Sequence, residues 1–171
     1  MVNRRLQPTR DDVRVAWLAA LAITIHIVES ALPSPFPGFK PGLANVITIT
    51  ALLWFGWRTA AWVSLLRVVA GSIMVGTFLS PTFALSLSGA LASLGLLGIA
   101  FLLARQALGP IGYSVLASMA HIGGQFTIAR WLFIPHDGLF RLFPILMTAA
   151  LIFGIVSGVV AQKVVRGIKT G

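Results

Sequence analysis

Cysteine is absent from this chain, and acidic residues are nearly absent. Without cysteine the protein can form no disulfide, no thiolate metal site and no cysteine nucleophile. Aspartate and glutamate contribute only 4 of the 171 residues, namely Asp11, Asp12, Glu29 and Asp137. An enzyme that ionises an allylic diphosphate needs clustered aspartates, which hold magnesium against the leaving group. The only adjacent pair lies in a basic N-terminal tail, so no aspartate-rich site of that kind is expected.

Two further catalytic motifs are missing from the sequence. The histidines, His26, His121 and His136, lack the short spacing of a zinc motif. No glycine-rich loop is followed by Lys-Ser or Lys-Thr, so the chain cannot hydrolyse ATP by that route. The sequence therefore predicts no metal and no other cofactor, and it favours a protein that is not an enzyme by itself.

Charged residues make up only 10% of the chain, whereas hydrophobic residues make up 57% and the mean hydropathy is +0.93. Soluble domains carry roughly 25% charged residues, so this composition predicts an integral membrane protein. A helix that crosses about 30 Å of hydrocarbon needs about 20 apolar residues. Apolar blocks between helix breakers predict six spans, near residues 13–31, 41–55, 58–78, 81–104, 110–133 and 139–165.

The expected fold is therefore an all-α membrane protein with a bundle of six transmembrane helices. The bundle occupies residues 13–165, with polar tails at residues 1–12 and 166–171. Pro41, Pro81 and Pro110 fit the first position of a helix, where the missing amide donor costs nothing.

The net charge of +9 would suggest a nucleic-acid partner in a soluble protein, but here the basic residues flank apolar blocks. They are therefore interpreted as topology signals, and no nucleic acid is expected. A cytoplasmic N-terminus places nine basic residues inside: Arg4, Arg5, Arg10, Arg14, Arg58, Arg105, Lys163, Arg166 and Lys169. Only Lys40, Arg130 and Arg141 then lie outside. This asymmetry predicts a multi-pass protein of the inner (cytoplasmic) membrane with both termini in the cytoplasm.

Arg67 lies near the middle of the third span, where a charge is costly and usually functional. Polar residues of other spans fall in the middle or outer half of the membrane. They include His26 and Glu29, one turn apart on the first span, and a stripe of Ser114, Ser118, His121 and Gln125 on the fifth. We expect an outward-facing substrate site that these spans share, with its residues being Glu29, Lys40, Asn45, Arg67, Ser88, His121 and Gln125.

Two interpretations of these residues stay open. Arg67 and Glu29 can form a buried structural ion pair while the serines and His121 bond neighbouring helices, as polar residues in membrane bundles often do. Alternatively, the cluster binds a small ligand. Cations outnumber carboxylates in the outer half, so an anionic or phosphate-bearing ligand is the natural hypothesis, since guanidinium grips such groups through parallel hydrogen bonds.

Small residues recur four positions apart on three spans and permit close helix contact. They are Ala16 and Ala20 on the first span, Ala84, Ser88 and Ala92 on the fourth, and Gly154 and Gly158 on the sixth. Most such stripes are ordinary bundle packing. The remainder mark docking surfaces for another membrane protein.

Several short motifs follow one another along the chain: Pro37-Gly-Phe-Lys-Pro-Gly-Leu-Ala-Asn45, Leu66-Arg67, Gly71-Ser72, Gly76-Thr-Phe-Leu-Ser-Pro81, Leu85-Ser-Leu-Ser-Gly89, Ala120-His121 and Gly124-Gln125. Together they resemble the Gx transporter family, also labelled heptaprenyl diphosphate synthase component I. The resemblance covers roughly residues 17–160. That family is similar to the substrate-binding S components of energy-coupling factor transporters.

The resemblance implies six membrane helices that bind a small solute from outside and dock onto a transmembrane coupling subunit driven by two ATPases. In S components an Ala-x-x-x-Ala pattern on the first helix forms the docking face, and Ala16 and Ala20 are similar. The solute itself does not follow from the resemblance, because no vitamin-specific signature is present.

The leading hypothesis is therefore an S-component-like membrane protein that takes up a small solute with energy from partner subunits. The alternative is a non-catalytic membrane accessory of polyprenyl (heptaprenyl) diphosphate or quinone biosynthesis. A third, weaker hypothesis is a structural subunit of a membrane redox complex.

Overall fold

The computed structural model describes residues 9–31, 44–104 and 107–167. Within these ranges all regular secondary structure is helical, with six α-helices. They are α1 (Arg10–Ala31), α2 (Ala44–Phe55), α3 (Trp57–Val75), α4 (Pro81–Leu103), α5 (Pro110–Ile128) and α6 (Phe143–Gly167). A π-helical turn, Ala129–Phe133, extends α5, and a 3-10 turn, Asp137–Arg141, precedes α6.

Local sequence signals account for several helix ends. Pro81 and Pro110 occupy the first positions of α4 and α5, as predicted. The Ser80 side chain accepts a hydrogen bond from the Phe83 amide and so caps α4. Gly76, with φ of 75°, ends α3 in a left-handed conformation that glycine adopts without steric cost. The predicted third span, 58–78, is therefore too long at its C-terminal end.

The N-terminus of α1 is held by a reciprocal cap between Thr9 and Asp12. The Asp12 amide donates to Thr9 Oγ1, and the Asp12 carboxylate accepts from the Thr9 amide and hydroxyl. This arrangement satisfies donors that the first helical turn leaves without partners. The hydrogen bond from the Thr9 amide is the main reason that the pKa of Asp12 is lowered.

The second helix is the centre of the molecule. All residues from Val46 to Leu52 are buried, on every side of α2, and the helix contacts α1, α3, α5 and α6. Its 12 residues span about 18 Å, which is too short to cross a bilayer. The stretch before it, including Pro41 and the start of the predicted second span, lies outside the described residues.

Three described helical segments are long and apolar enough to cross a membrane: α3, α4 and the stretch Asp137–Gly167 that contains α6. Of the other predicted spans, α2 is short, and the polar stripe lowers the hydropathy of α5. Many large apolar side chains of the helices are exposed, for example Leu102 at 83% and Ile155 at 43%. Such faces suit contact with lipid.

Small residues allow α5 to contact both neighbouring helices closely. A Cβ atom added to Gly158 would lie 2.6 Å from Ile111 Cα, and one added to Gly154 would lie 2.9 Å from Val115 Cα. On the opposite side, a Cβ atom on Gly124 would lie 2.7 Å from Ala92 Cβ. The small-residue stripes of α4 and α6 are thus used for packing inside the molecule.

Candidate functional site

Arg67 is buried on the inner face of α3. Only 9% of the residue is exposed, and Ser64, one turn earlier, and Gly71, one turn later, are buried with it. The small neighbours leave room for a long guanidinium side chain inside the bundle. The Nε atom of Arg67 is buried and has no hydrogen-bond partner among the described residues. A buried donor without a partner is costly, so this position invites a functional explanation.

Two residues of α1 approach this arginine. Glu29 is 4% exposed, and its carboxylate interacts electrostatically with Arg67. His26 lies one turn earlier on α1, and its ring packs directly on α3, since a Cβ atom added to Gly71 would lie 2.9 Å from His26 Cδ2. The absence of a side chain at Gly71 therefore lets the imidazole lie beside the turn that follows Arg67.

Two residues of α5, His121 and Gln125, pack against Gly89 of α4. A Cβ atom added to Gly89 would lie 2.8 Å from His121 Nε2 and 2.9 Å from Gln125 Cγ. His121 also interacts electrostatically with Arg67 and with His26. Glu29 and His121 thus both lie within electrostatic range of Arg67, and Gln125 lies beside His121.

The predicted polar stripe of α5 divides between two partners. His121 and Gln125 face α4, whereas Ser114 and Ser118 lie against Gly158 and Gly154 of α6. The predicted substrate site includes His121 and Gln125 but not the two serines, which contact α6. The 3.6-residue repeat keeps all four within about 60° around the helix axis. The division therefore follows position along α5, with the serines in its first half and His121 and Gln125 in its second half.

Three other predicted site residues are less closely connected to Arg67. Ser88 lies on α4, next to Gly89, and its hydroxyl donates to the Leu85 carbonyl within the same helix at 2.8 Å. Asn45 lies half-buried in the first turn of α2. Lys40 lies outside the described residues. The roles predicted for these three side chains stay predictions.

The predicted docking residues, Ala16 and Ala20, are both exposed on α1. They share a face with Trp17, which is 75% exposed, and Leu21, which is 50% exposed. Unlike the small residues of α4 and α6, they are not buried in helix contacts within the described part of the molecule. The surface is therefore accessible to lipid or to another membrane protein.

The cluster of Glu29, Arg67, His26, His121 and Gln125 combines one cation and one anion with side chains that can both donate and accept hydrogen bonds. It lies inside a helical bundle, where low dielectric strengthens every charge interaction. Such a cluster can bind a small polar group by charge and hydrogen bonding. Among the described residues no three histidine, aspartate or glutamate side chains converge as metal ligands do.

Three members of this region were missing from the predicted site. His26 has the signal that would have placed it there, since it lies one turn from Glu29 on the same helix. Gly71 and Gly89 matter because they have no side chain, and only the packing of His26 and His121 against them reveals their role. Spacing along one helix does not show which glycine a ring from another helix will cover.

The family model described as heptaprenyl diphosphate synthase component I matches residues 18–164. The match covers most of the chain, from the third turn of α1 to the last turn of α6, and the chain belongs to this family. A component I implies partner subunits. Searches of curated proteins and of solved structures found no match to the chain.

Proposed function

We propose that this protein is the solute-binding membrane component of a multi-subunit transporter, similar to the S components of energy-coupling factor systems. It binds a small anionic solute from outside at the cluster around Arg67 and is not itself an enzyme. In this proposal all six helices lie in the inner membrane, with both termini in the cytoplasm, as the asymmetry of basic residues favours.

The observation that carries the proposal is the buried Arg67, whose Nε–H has no partner in the described structure. Glu29 offsets its charge, but a carboxylate that only neutralised the guanidinium would leave the Nε donor unsatisfied. A carboxylate or phosphate of a solute supplies the missing acceptor, and guanidinium accepts such groups in a bidentate geometry. In this proposal His121 and the neighbouring Gln125 orient the rest of the solute.

The direct test is Arg67→Gln, with Arg58→Gln as the matched control. Both residues lie on α3, and Arg58 is exposed whereas Arg67 is buried. Native mass spectrometry of the purified protein identifies the small molecule that co-purifies. We expect Arg67→Gln to lose that molecule and to weaken its binding at least tenfold, as loss of a charge-assisted hydrogen bond does. Arg58→Gln should retain it.

The proposal fails if Arg67→Gln folds, by its helical circular dichroism and monodisperse elution, and binds the molecule as tightly as the unaltered protein. In that case Arg67 and Glu29 form a structural pair, and the solute site lies elsewhere or does not exist. Retained binding by Glu29→Gln together with loss by Arg67→Gln would assign recognition to the guanidinium alone.

The second candidate function is a non-catalytic membrane subunit in polyprenyl diphosphate synthesis, and the description of the family favours it. Affinity purification after coexpression separates the two. Recovery of a membrane coupling subunit with ATPases supports transport, whereas recovery of a prenyl synthase supports the accessory role. If transport is correct, replacing Ala16 and Ala20 with leucine should abolish that recovery while leaving the solute bound.

A further inference from the structure

A second polar position begins one turn after Gln125, where α5 widens into the π-helical turn. The Ile134 amide donates to the Ala129 carbonyl five residues back, at 2.8 Å. Isolated π turns of this kind occur often at functional sites. This one carries Arg130, whose guanidinium binds the Asp137 carboxylate at 2.8 Å and lies 5.7 Å from the centre of the Phe140 ring.

Two adjoining clefts meet at Arg130, and both are lined by Arg130, Trp131 and Phe140. One, of about 380 Å³, continues past Pro135, while the other, of about 460 Å³, continues past Phe126 and Phe143. The aromatic rings form a contiguous wall. The centre of the Phe126 ring lies 5.6 Å from that of Phe140 and 4.7 Å from that of Phe143. The groove thus has a cationic middle and a long apolar arm.

The position of the groove points to the edge of the membrane. The helical segment that contains a membrane-length apolar stretch begins at Asp137, whose carboxylate binds Arg130. The π turn itself exposes apolar residues, with Trp131 at 81% and Leu132 at 65%. Aromatic residues and arginine gather at the level where a span leaves the hydrocarbon, because their rings and charged ends prefer that boundary.

We propose that this groove binds one anionic phospholipid, with its phosphate on Arg130 and an acyl chain along Phe126 and Phe143. Asp137 engages only one end of the guanidinium, and the Nε atom of Arg130 is buried without a hydrogen-bond partner in the described structure. A phosphate can take up that remaining donor capacity. The apolar arm distinguishes a lipid from a soluble anion, which would leave the aromatic wall uncovered.

The test uses the whole protein, stripped of lipid in detergent, and native mass spectrometry of its binding to phosphatidylglycerol. Arg130→Gln should weaken binding about tenfold, the scale of one charge-assisted hydrogen bond. The matched control is Arg141→Gln in the neighbouring 3-10 turn, because Arg141 is exposed and does not line the groove. It should change binding by less than about twofold, the scale of a screened surface charge.

Two probes separate a lipid from a soluble anion at the same arginine. Inorganic phosphate at millimolar concentration should not displace phosphatidylglycerol, and diacylglycerol, which lacks the phosphate, should not be retained. Displacement by inorganic phosphate would overturn the lipid assignment, and retention of diacylglycerol would overturn the role of Arg130. Equal losses in Arg130→Gln and Arg141→Gln would show general charge attraction and overturn the site.

A measurement on the unaltered protein covers the case in which Arg130→Gln does not fold. Phosphatidylglycerol with a photoreactive acyl chain, in nanodiscs of phosphatidylcholine, should crosslink mainly to the segment from Phe126 to Phe143. Crosslinks spread evenly over the other exposed apolar faces, such as that of Trp17 on α1, would overturn the proposal.

Discussion

The two halves of α5 carry similar polar residues and use them differently. In the first half, Ser114 and Ser118 lie against Gly158 and Gly154 of α6, and the helices meet backbone to backbone. In the second half, Gly124 packs on the Ser88 backbone of α4, but His121 and Gln125 lie against Gly89, where long side chains cover a glycine. Both halves hold helices together, and the contact at Gly89 also fixes the positions of His121 and Gln125.

The effect of adding a methyl group at a glycine therefore depends on which atoms cover that glycine. Where backbone covers it, an added methyl group must push two helices apart. Where a side chain covers it, the methyl group displaces that side chain and leaves the helices in place. We therefore expect substitutions in the two halves to separate stability from binding.

The largest effect on stability is expected for Gly158→Ala. The new Cβ atom would lie 2.6 Å from Ile111 Cα, so α5 and α6 must separate. Overpacking of this kind costs about 2–3 kcal/mol. Equilibrium unfolding in mixed micelles measures it, with Gly95→Ala as the control because nothing lies within 4 Å of a Cβ atom there. If Gly158→Ala is as stable as Gly95→Ala, then close backbone packing at Gly158 does not contribute to stability as proposed.

The next largest effect is a loss of binding in Gly89→Ala. The added Cβ atom would lie 2.8 Å from His121 Nε2, so the imidazole and the neighbouring Gln125 must turn away from their present positions. We expect the co-purifying solute to bind about tenfold more weakly, at a smaller cost in stability than Gly158→Ala, because side chains rotate more easily than helices separate.

Nitrogen-15 resonances of the His121 ring give a readout for Gly89→Ala that needs no ligand. They should shift in Gly89→Ala and stay unchanged in Gly95→Ala, which lies on the same helix. If the His121 signals and the solute affinity are both unaltered in Gly89→Ala, then Gly89 does not position the ring. If the signals shift but affinity is unchanged, His121 is not part of the solute site.

The smallest effect is expected for Ser114→Ala. Its hydroxyl is fully buried, and Oγ has no hydrogen-bond partner among the described residues. Removing a buried polar atom that lacks a partner changes the free energy of unfolding by no more than about 1 kcal/mol and can stabilise the fold. Solute binding should be unchanged. A tenfold loss of affinity in Ser114→Ala would extend the site into the half of α5 that we assign to packing.

Much of the fold could be predicted from the sequence, because local chemistry determines helix ends. Ser80 with Pro81 begins α4, Pro110 begins α5 and Gly76 ends α3, each through a backbone requirement of the residue itself. The start of the sixth helix is harder to predict from the sequence. The predicted span begins at residue 139, but a 3-10 turn occupies Asp137–Arg141, and α6 begins at Phe143. Apolar composition alone does not distinguish the two kinds of helix.

For the candidate site, the sequence draws attention to the charges but not to the residues that surround them. Arg67 and Glu29 stand out in sequence because a charge in an apolar helix is costly wherever it faces. Ser114 and Ser118 share a predicted polar stripe with His121, although they are not among the predicted site residues. A stripe on one helix indicates which residues point in similar directions. It does not show which neighbouring helix each of these residues will contact.

Composition and local pattern are enough to predict a helical protein rich in membrane-like apolar segments, with Arg67 as the costly charge among them. Tertiary packing places α2 at the centre, rests His26 and His121 on Gly71 and Gly89, and divides the polar residues of α5 between α4 and α6. Helix formation and the cost of a buried charge depend on nearby residues, so they can be predicted from sequence. The partner of each helix face depends instead on how all the helices pack at once.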